Sequence, residues 1–298
     1  MAGPTYWEVH EYNSTGAPVL AFVAGAGGHA AADAHGTTWY VEQEEGWRDG
    51  KAMRDTSTER LLGDGEWTGG QWKQSHLVTL SGIWVSPDQE AMFASIRDAR
   101  NTLGRARRTG RLLAQDSDGR RLFTDVTRGG QTIMQPSSTC TGEWSMSFRV
   151  DSGVYLSEDV SSVILSGGGT AATGRAYTGA FPYAYQTGLS AGGGQIFNGG
   201  DVPVPFTATI DGPVNEWALL DAATGRVLRS SESIPAGSVG VLDTANRTYY
   251  VDGQNRRWAL SGSWFSIPPG QQQITFQAGG ATAATECTIA YHAEAWAA

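Results

Sequence analysis

The pentapeptide Gly188-Leu189-Ser190-Ala191-Gly192 satisfies G-x-S-x-G, a spacing that in a hydrolase holds a serine on a sharp strand-to-helix turn with its hydroxyl exposed. Asp243 and His292 follow in the order serine, acid, histidine, so all three residue types of an acyl-transfer triad are in the chain. That chemistry needs a helix directly after the serine, because the helix N-terminus lies beneath the developing oxyanion. Here AGGGQIFNGG follows, and three consecutive glycines do not start a helix. The pattern is met without its context, and a serine hydrolase using Ser190 is the last of three readings.

Metal and phosphate chemistry fare no better. His10, His29, His35, His76 and His292 are scattered, with no spacing that suits zinc. Asp116-Ser117-Asp118-Gly119 begins like a calcium loop, but its glycine comes two positions early and no bidentate glutamate follows, so a hairpin turn explains it better. The runs Gly25 to Gly28 and Gly167 to Gly169 lack the Lys-Ser/Thr of a P-loop and read as loops. Arg105, Arg107, Arg108 and Arg111 form a short basic run at a helix end, which suits a solvated or partner-facing surface. Asn13-Ser14-Thr15 and Asn246-Arg247-Thr248 match glycosylation acceptors without a signal peptide to give them meaning. Cys140 and Cys287 are too few for a disulfide framework, and Cys287 alternates with Ile289 and Tyr291 as a core residue would. No catalytic, cofactor-binding or metal-binding residue is therefore assigned, and no cofactor is expected.

Composition narrows the class. The 298 residues include 40 Gly, 11 Pro and 11 Trp with only 17% charged, which favours many short strands and turns over long exposed helices. A net charge of -9 argues against gripping nucleic-acid phosphates. The start MAGPTYWEVHEYNSTG has no basic-then-apolar signal pattern and no run of 18 apolar residues occurs, so folding in a cytoplasm without membrane insertion is expected. Exposed tryptophans would suit a carbohydrate-binding module, the second reading. Trp217, Trp258, Trp264 and Trp296 sit at strand positions, however, and the plainer expectation is core or interface.

The elements that would carry any site are mostly strands. TTWYVEQ (37–43) and HLVTLSGIWVS (76–86) flank LLGDGEWTGGQW, whose Asp-Gly and Gly-Gly pairs signal turns. In the second strand both faces are partly apolar, which predicts cover on both sides. One helix is expected from Pro87 to Leu103, with Ser86 as N-cap and Met92, Phe93, Ile96, Ala99 and Leu103 on its apolar stripe. Between Leu165 and Asp201 glycine clusters suggest the irregular first strands of a second domain with a flexible tip at Gly192 to Gly194. Beyond Val202 the strands are regular: FTATI, a hairpin about Asp221 to Gly225, and a type I′ turn at Asp252-Gly253. WFSI is then a strand that Pro268-Pro269-Gly270 stops, with Pro269-Gly270 in a type II turn before ITF. Strands every 8–14 residues or so predict a β-sandwich.

The succession Asn198-Gly199-Gly200-Asp201, PVPFTATIDGPV, LLDAATGRVL, IPAG, Val241-Leu242-Asp243-Thr244 and WFSIPPG resembles the C-terminal domain of phage distal tail proteins, those of long non-contractile tails and especially of phages infecting actinobacteria. The LGDGEWTGGQW hairpin, LVTLSG, the helix and FRVDSGVY are similar to that family's N-terminal belt domain, so the resemblance covers most of the chain, with residues 1 to about 36 matching least. Two departures, Asp151-Ser152 where the family often has Asp-Pro and Gly270-Gln271 where it has Gly-Asn, both suit turns.

The resemblance implies a mostly β fold: an N-terminal split β-barrel belt domain with one α-helix over residues 1–155, and a C-terminal galectin-like β-sandwich over 156–298. It further implies a structural virion protein, not an enzyme, at the distal end of the phage tail and assembled in the host cytoplasm. Its partners would be itself, in a homo-hexameric ring, then the tail tube protein, the baseplate hub or tail-associated protein, and the tape measure and receptor-binding proteins. DNA would pass through the lumen without specific binding, in keeping with an acidic wall that repels phosphate.

Overall fold

The computed structural model of the protein describes residues 4–11, 20–24, 32–49, 52–60, 64, 66–67, 69–102, 109–167 and 190–297. The chain divides into two compact units, residues 1–157 with 297–298, and residues 158–296.

The first unit contains β1 (Tyr6–Glu11), β2 (Leu20–Ala24), β3 (Thr38–Glu45), β4 (Met53–Asp55), β5 (Thr58–Glu59), β6 (Glu66–Trp67), β7 (Gln71–Lys73) and β8 (His76–Val85). After these come α1 (Gln89–Asn101), β9 (Thr109–Gln115), β10 (Arg121–Arg128), β11 (Ile133–Pro136), β12 (Thr141–Val150) and β13 (Val154–Ser157). The main sheet runs β11-β12-β8-β3-β2-β1-β9-β10-β13, and β10 pairs again with β12. β12 changes partner along its length: Gly142 to Ser145 lie against β11, whereas Phe148 to Val150 lie against Val126 to Arg128 of β10. The second pairing closes the circuit into a barrel split at that seam. Alternation sets the faces, with Val78, Leu80 and Trp84 of β8 buried beside Trp144, Met146 and Phe148 of β12. Four large rings meet inside: Phe22 stacks on Trp144 with centroids 4.6 Å apart, and Trp39 lies 5.6 Å from Trp84 and 5.9 Å from Trp144. The Trp144 indole N–H is 3.1 Å from the carbonyls of both Tyr40 and Ile83, so the cluster is tied to two strands. Gly82 permits that approach, because a Cβ there would meet the Tyr40 carbonyl oxygen beside the β-bulge in β3.

The helix starts two residues later than the sequence predicts. Asp88 is the N-cap and accepts the Ala91 N–H at 2.8 Å, while Ser86, just past the end of β8, is held by its N–H on the Cys140 carbonyl at 2.7 Å and by its hydroxyl 2.8 Å from that of Thr37. Its C-cap is Thr102; Leu103 lies outside the described residues. The buried stripe is also corrected. Met92, Ile96 and Ala99 are buried as expected, but Ser95 joins them through a 2.8 Å bond to Thr37, and Phe93 is 57% exposed. The LLGDGEWTGGQW segment differs too: β6 and β7 pair not with each other but backwards, β6 with β5 and β7 with β4. The result is a two-stranded arm between β3 and β8, paired in two short ladders, β4-β7 and β5-β6.

The second unit is a sandwich. Its strands are β14 (Val160–Ser166), β15 (Ser190–Asn198), β16 (Phe206–Asp211), β17 (Glu216–Asp221), β18 (Val227–Ser230), β19 (Val239–Asp243), β20 (Thr248–Val251), β21 (Gln254–Asn255), β22 (Leu260–Gly262), β23 (Gly270–Gly279) and β24 (Glu286–His292). A six-stranded sheet runs β14-β24-β16-β19-β20-β21 and a five-stranded sheet runs β15-β23-β17-β18-β22. Between them Trp217 donates to the Tyr249 hydroxyl at 3.1 Å, both side chains fully buried. Asp252 and Gly253 have φ of 47° and 77°, as a type I′ turn requires, and Gly225 closes the Asp221 hairpin at φ 68°. Gly270 has φ 86°, in keeping with the expected corner.

Two expectations fail here. WFSI keeps its alternation, with Phe265 and Ile267 buried, but forms no strand; its one ladder contact is the Ile267 to Val204 bridge. Gly192 to Gly194 form no tip, since they run mid-strand in β15 opposite Phe276, Thr275 and Ile274. Their role is close approach: a Cβ on Gly192 would meet the Ser166 carbonyl, and one on Gly194 would lie 2.5 Å from Leu165 and 2.7 Å from Val163.

Candidate assembly surfaces

The residues that first suggested chemistry are absorbed by structure. Ser190 opens β15 opposite Ala278 in the five-stranded sheet, whereas Asp243 and His292 belong to strands of the six-stranded sheet. The Asp243 carboxylate caps its own turn, accepting from the N–H groups of Ala245 and Asn246 at 2.8 and 3.1 Å. No helix follows Ser190, so the nucleophile elbow is absent from this site. His10 bonds Glu8 at 2.8 Å, His35 bonds Asp98 at 2.8 Å and His76 lies 3.2 Å from the Tyr155 hydroxyl; His29 is outside the described residues. Among the described residues no three His, Cys, Asp or Glu side chains group to hold a metal ion. Asp116 to Gly119 form the turn between β9 and β10, with Gly119 at φ 87°. Arg111 leans on the Phe123 ring at 3.8 Å; Arg105 to Arg108 fall outside the described residues, as do Asn13 and Gly25 to Gly28. Both cysteines are free thiols.

Electrostatics points the same way. Burial and the Glu8 carboxylate push the Tyr6 hydroxyl up to about 12, and burial pushes the Tyr155 and Cys287 groups up as well. These shifts keep groups neutral. The hydrogen bond from His35 holds the Asp98 carboxyl below its ordinary range, yet the pair is an exposed strut between α1 and the segment before β3.

What the fold leaves uncovered is surface. The outer face of β8 was expected to be covered, but Leu77, Ile83 and Val85 are 49%, 37% and 43% exposed, and Ile133 on β11 is 46% exposed. Cross-strand register gathers them on one side of the β11-β12-β8-β3 sheet, where Ile133 faces Ser145, Ser145 faces Ser81, and Ile83 faces Tyr40. Alongside, the arm carries Trp67, 65% exposed beneath Arg60 at 4.9 Å, and its two strands have no third strand against them among the described residues. An isolated two-stranded hairpin is marginal in water. On the six-stranded sheet, register lines up Ile164, Thr288, Thr209, Val241 and Tyr250 across five strands, an uncharged row on the solvent side. Apolar residues on both faces of β8 predict cover on both sides; the exposure of Leu77, Ile83 and Val85 identifies which face is bare.

Of the tryptophans, Trp217 is buried and Trp258 is 74% exposed, so the four strand-position indoles do not share one role.

Three comparisons bear on identity. Residues 199–296 match the family model for the siphovirus-type tail component, C-terminal domain. No curated protein matches the chain. Among solved structures, the SPP1 Dit protein, described as a paradigm of the hub adsorption apparatus in phages infecting Gram-positive bacteria, aligns over 86% of this chain and 92% of its own, with TM-score 0.59 and 10% identity. The phage P2 baseplate in its activated conformation with calcium aligns over 96% of this chain and 97% of its own, with TM-score 0.49 and 12% identity. The family model and the SPP1 fold bear out the resemblance drawn from the sequence.

Proposed function

The chain carries a siphovirus-type tail component domain on a distal-tail fold, and from that premise we propose that it assembles as a homo-hexameric ring joining the tail tube to the baseplate hub. It is a component of the phage tail and baseplate. The barrel over residues 1–155 forms the belt, and the sandwich over 156–298 is galectin-like and offers its surface to further partners. Its work is assembly rather than catalysis.

The observation that carries the reading is the uncovered apolar face of β8 and β11 beside the unsupported arm. Neighbouring copies would cover both, burying Leu77, Ile83 and Val85 and adding a third strand to the arm. Each apolar side chain so covered contributes on the order of 1 kcal/mol. The uncharged row about Ile164 and Tyr250 would take receptor-binding proteins, while tape measure and DNA occupy the lumen. Assembly takes place in the host cytoplasm.

Light scattering on the full chain, with negative-stain images of the same sample, tests this. A particle of six times 31.7 kDa with a central hole is expected. Ile83→Glu with Val85→Glu should leave each chain folded and prevent the ring. Another subunit number would overturn the count; a chain monomeric at all concentrations, alone and with tube protein, would overturn the belt.

A further inference from the structure

The outer face of the five-stranded sheet carries an exposed Phe197 on its β15 edge and is polar about Ala218, where it has a depression. Ala218 on β17 lies between Gln277 on β23 and Arg229 on β18, and Ser261 on β22 follows Arg229 in the same row. Cross-strand partners share a face, so these four side chains stand on the solvent side. Ala218 is 8% exposed and short, with long neighbours on both sides, and it forms the floor of an open pocket of about 410 Å³. Glu216 and Ser231, one row along, and Val227 complete the wall. The volume falls in the range of small-molecule sites, about 300–1,000 Å³.

We propose that this pocket binds a neutral saccharide ring. Arg229 is held across the pocket by its Nε–H bond to Ser261 at 3.2 Å, and its terminal nitrogens have no partner among the described residues. The same holds for the Glu216 carboxylate, the Gln277 amide and the Ser231 hydroxyl. The set therefore offers a charged donor, a charged acceptor and groups that do both. A sugar hydroxyl donates and accepts at once, and matches such a mixture. One cation beside one anion leaves the pocket with no preference for a phosphate or for an ammonium group. The Ala218 and Val227 methyls face the C–H side of a ring. Trp217 reaches the pocket only through its backbone, its ring being 1% exposed, so no stacking platform is present and each site binds weakly. Presented several times on one ring, weak sites gain avidity; that step alone rests on the proposed hexamer.

The test is saturation-transfer NMR on the full chain with the methyl glycosides of glucose, galactose, mannose and N-acetylglucosamine at millimolar concentration. Transfer to at least one sugar is expected. It should fall about tenfold in Arg229→Ala, which removes a charge-assisted hydrogen bond, and vanish in Ala218→Leu, which fills the floor. Trp258→Ala should leave it unchanged, and melting curves should show all three variants folded. No transfer to any of the four sugars overturns the proposal. So does transfer that survives both pocket changes, or that is lost in Trp258→Ala. The readout uses one site on one chain, so a monomer that binds sugar breaks only the ring, and a ring that binds none breaks only the pocket.

Discussion

Inside the first unit Phe22, Trp39, Trp84 and Trp144 bring four large rings into one barrel, whereas the second unit brings β14 against β15 on glycines at 192 and 194. Both solve a packing problem, with residues from opposite ends of the size scale. The barrel has a wide interior to fill, and large rings fill it with few residues. The sandwich has sheet edges that approach until backbone meets side chain, and only the absence of a Cβ allows it. The barrel is thus sensitive to losing volume and the sandwich edge to gaining it.

Opposite substitutions test that contrast. Trp84→Ala should cost about 3–5 kcal/mol and lower the melting of the first unit, because the cavity sits among rings that cannot collapse into it; calorimetry resolving two transitions would show the second unit unchanged. Gly194→Val should do the reverse, costing about 1–3 kcal/mol in the second unit as its methyls meet Leu165 and Val163. If either change moves the other unit's transition equally, the contrast between them fails. Asp88→Ala should cost the first unit about 1 kcal/mol through loss of the cap bond to Ala91, and Asp88→Asn almost nothing.

Cys287 offers a probe of the sandwich alone. Its buried thiol, pushed up by desolvation, should react with a disulfide reagent only on unfolding, while the partly exposed Cys140 reacts in the native chain. Smallest is the pH effect in the first unit. Asp98 is held low by His35, so its contribution is present above the unfolded carboxylate value and is lost as pH falls through the lower folded value. The pair is exposed and screened, so His35→Ala should flatten the acid limb of urea stability only slightly.

These sensitivities were unequally legible. The type I′ turn at Asp252-Gly253 could be read directly, because its backbone demands positive φ at both positions and the residue types announce it. The N-cap is ambiguous by two residues in the sequence, since Ser86 and Asp88 are equally good caps and only the bond of Ser86 to Cys140, just beyond β8, decides between them. The glycine run of β15 reads equally as a tip, because glycine serves both flexibility and close approach.

Local periods are written in the sequence: which residues alternate, where turns fall, and that Ser190 lacks the helix a nucleophile needs. Those follow from backbone geometry within a few residues. Which outer faces stay bare, which pairs share a row, and that Ala218 lies at the bottom of a pocket were decided by strand order and register between segments tens of residues apart. Side chains on one strand do not specify their neighbours on the next; the folded sheet does.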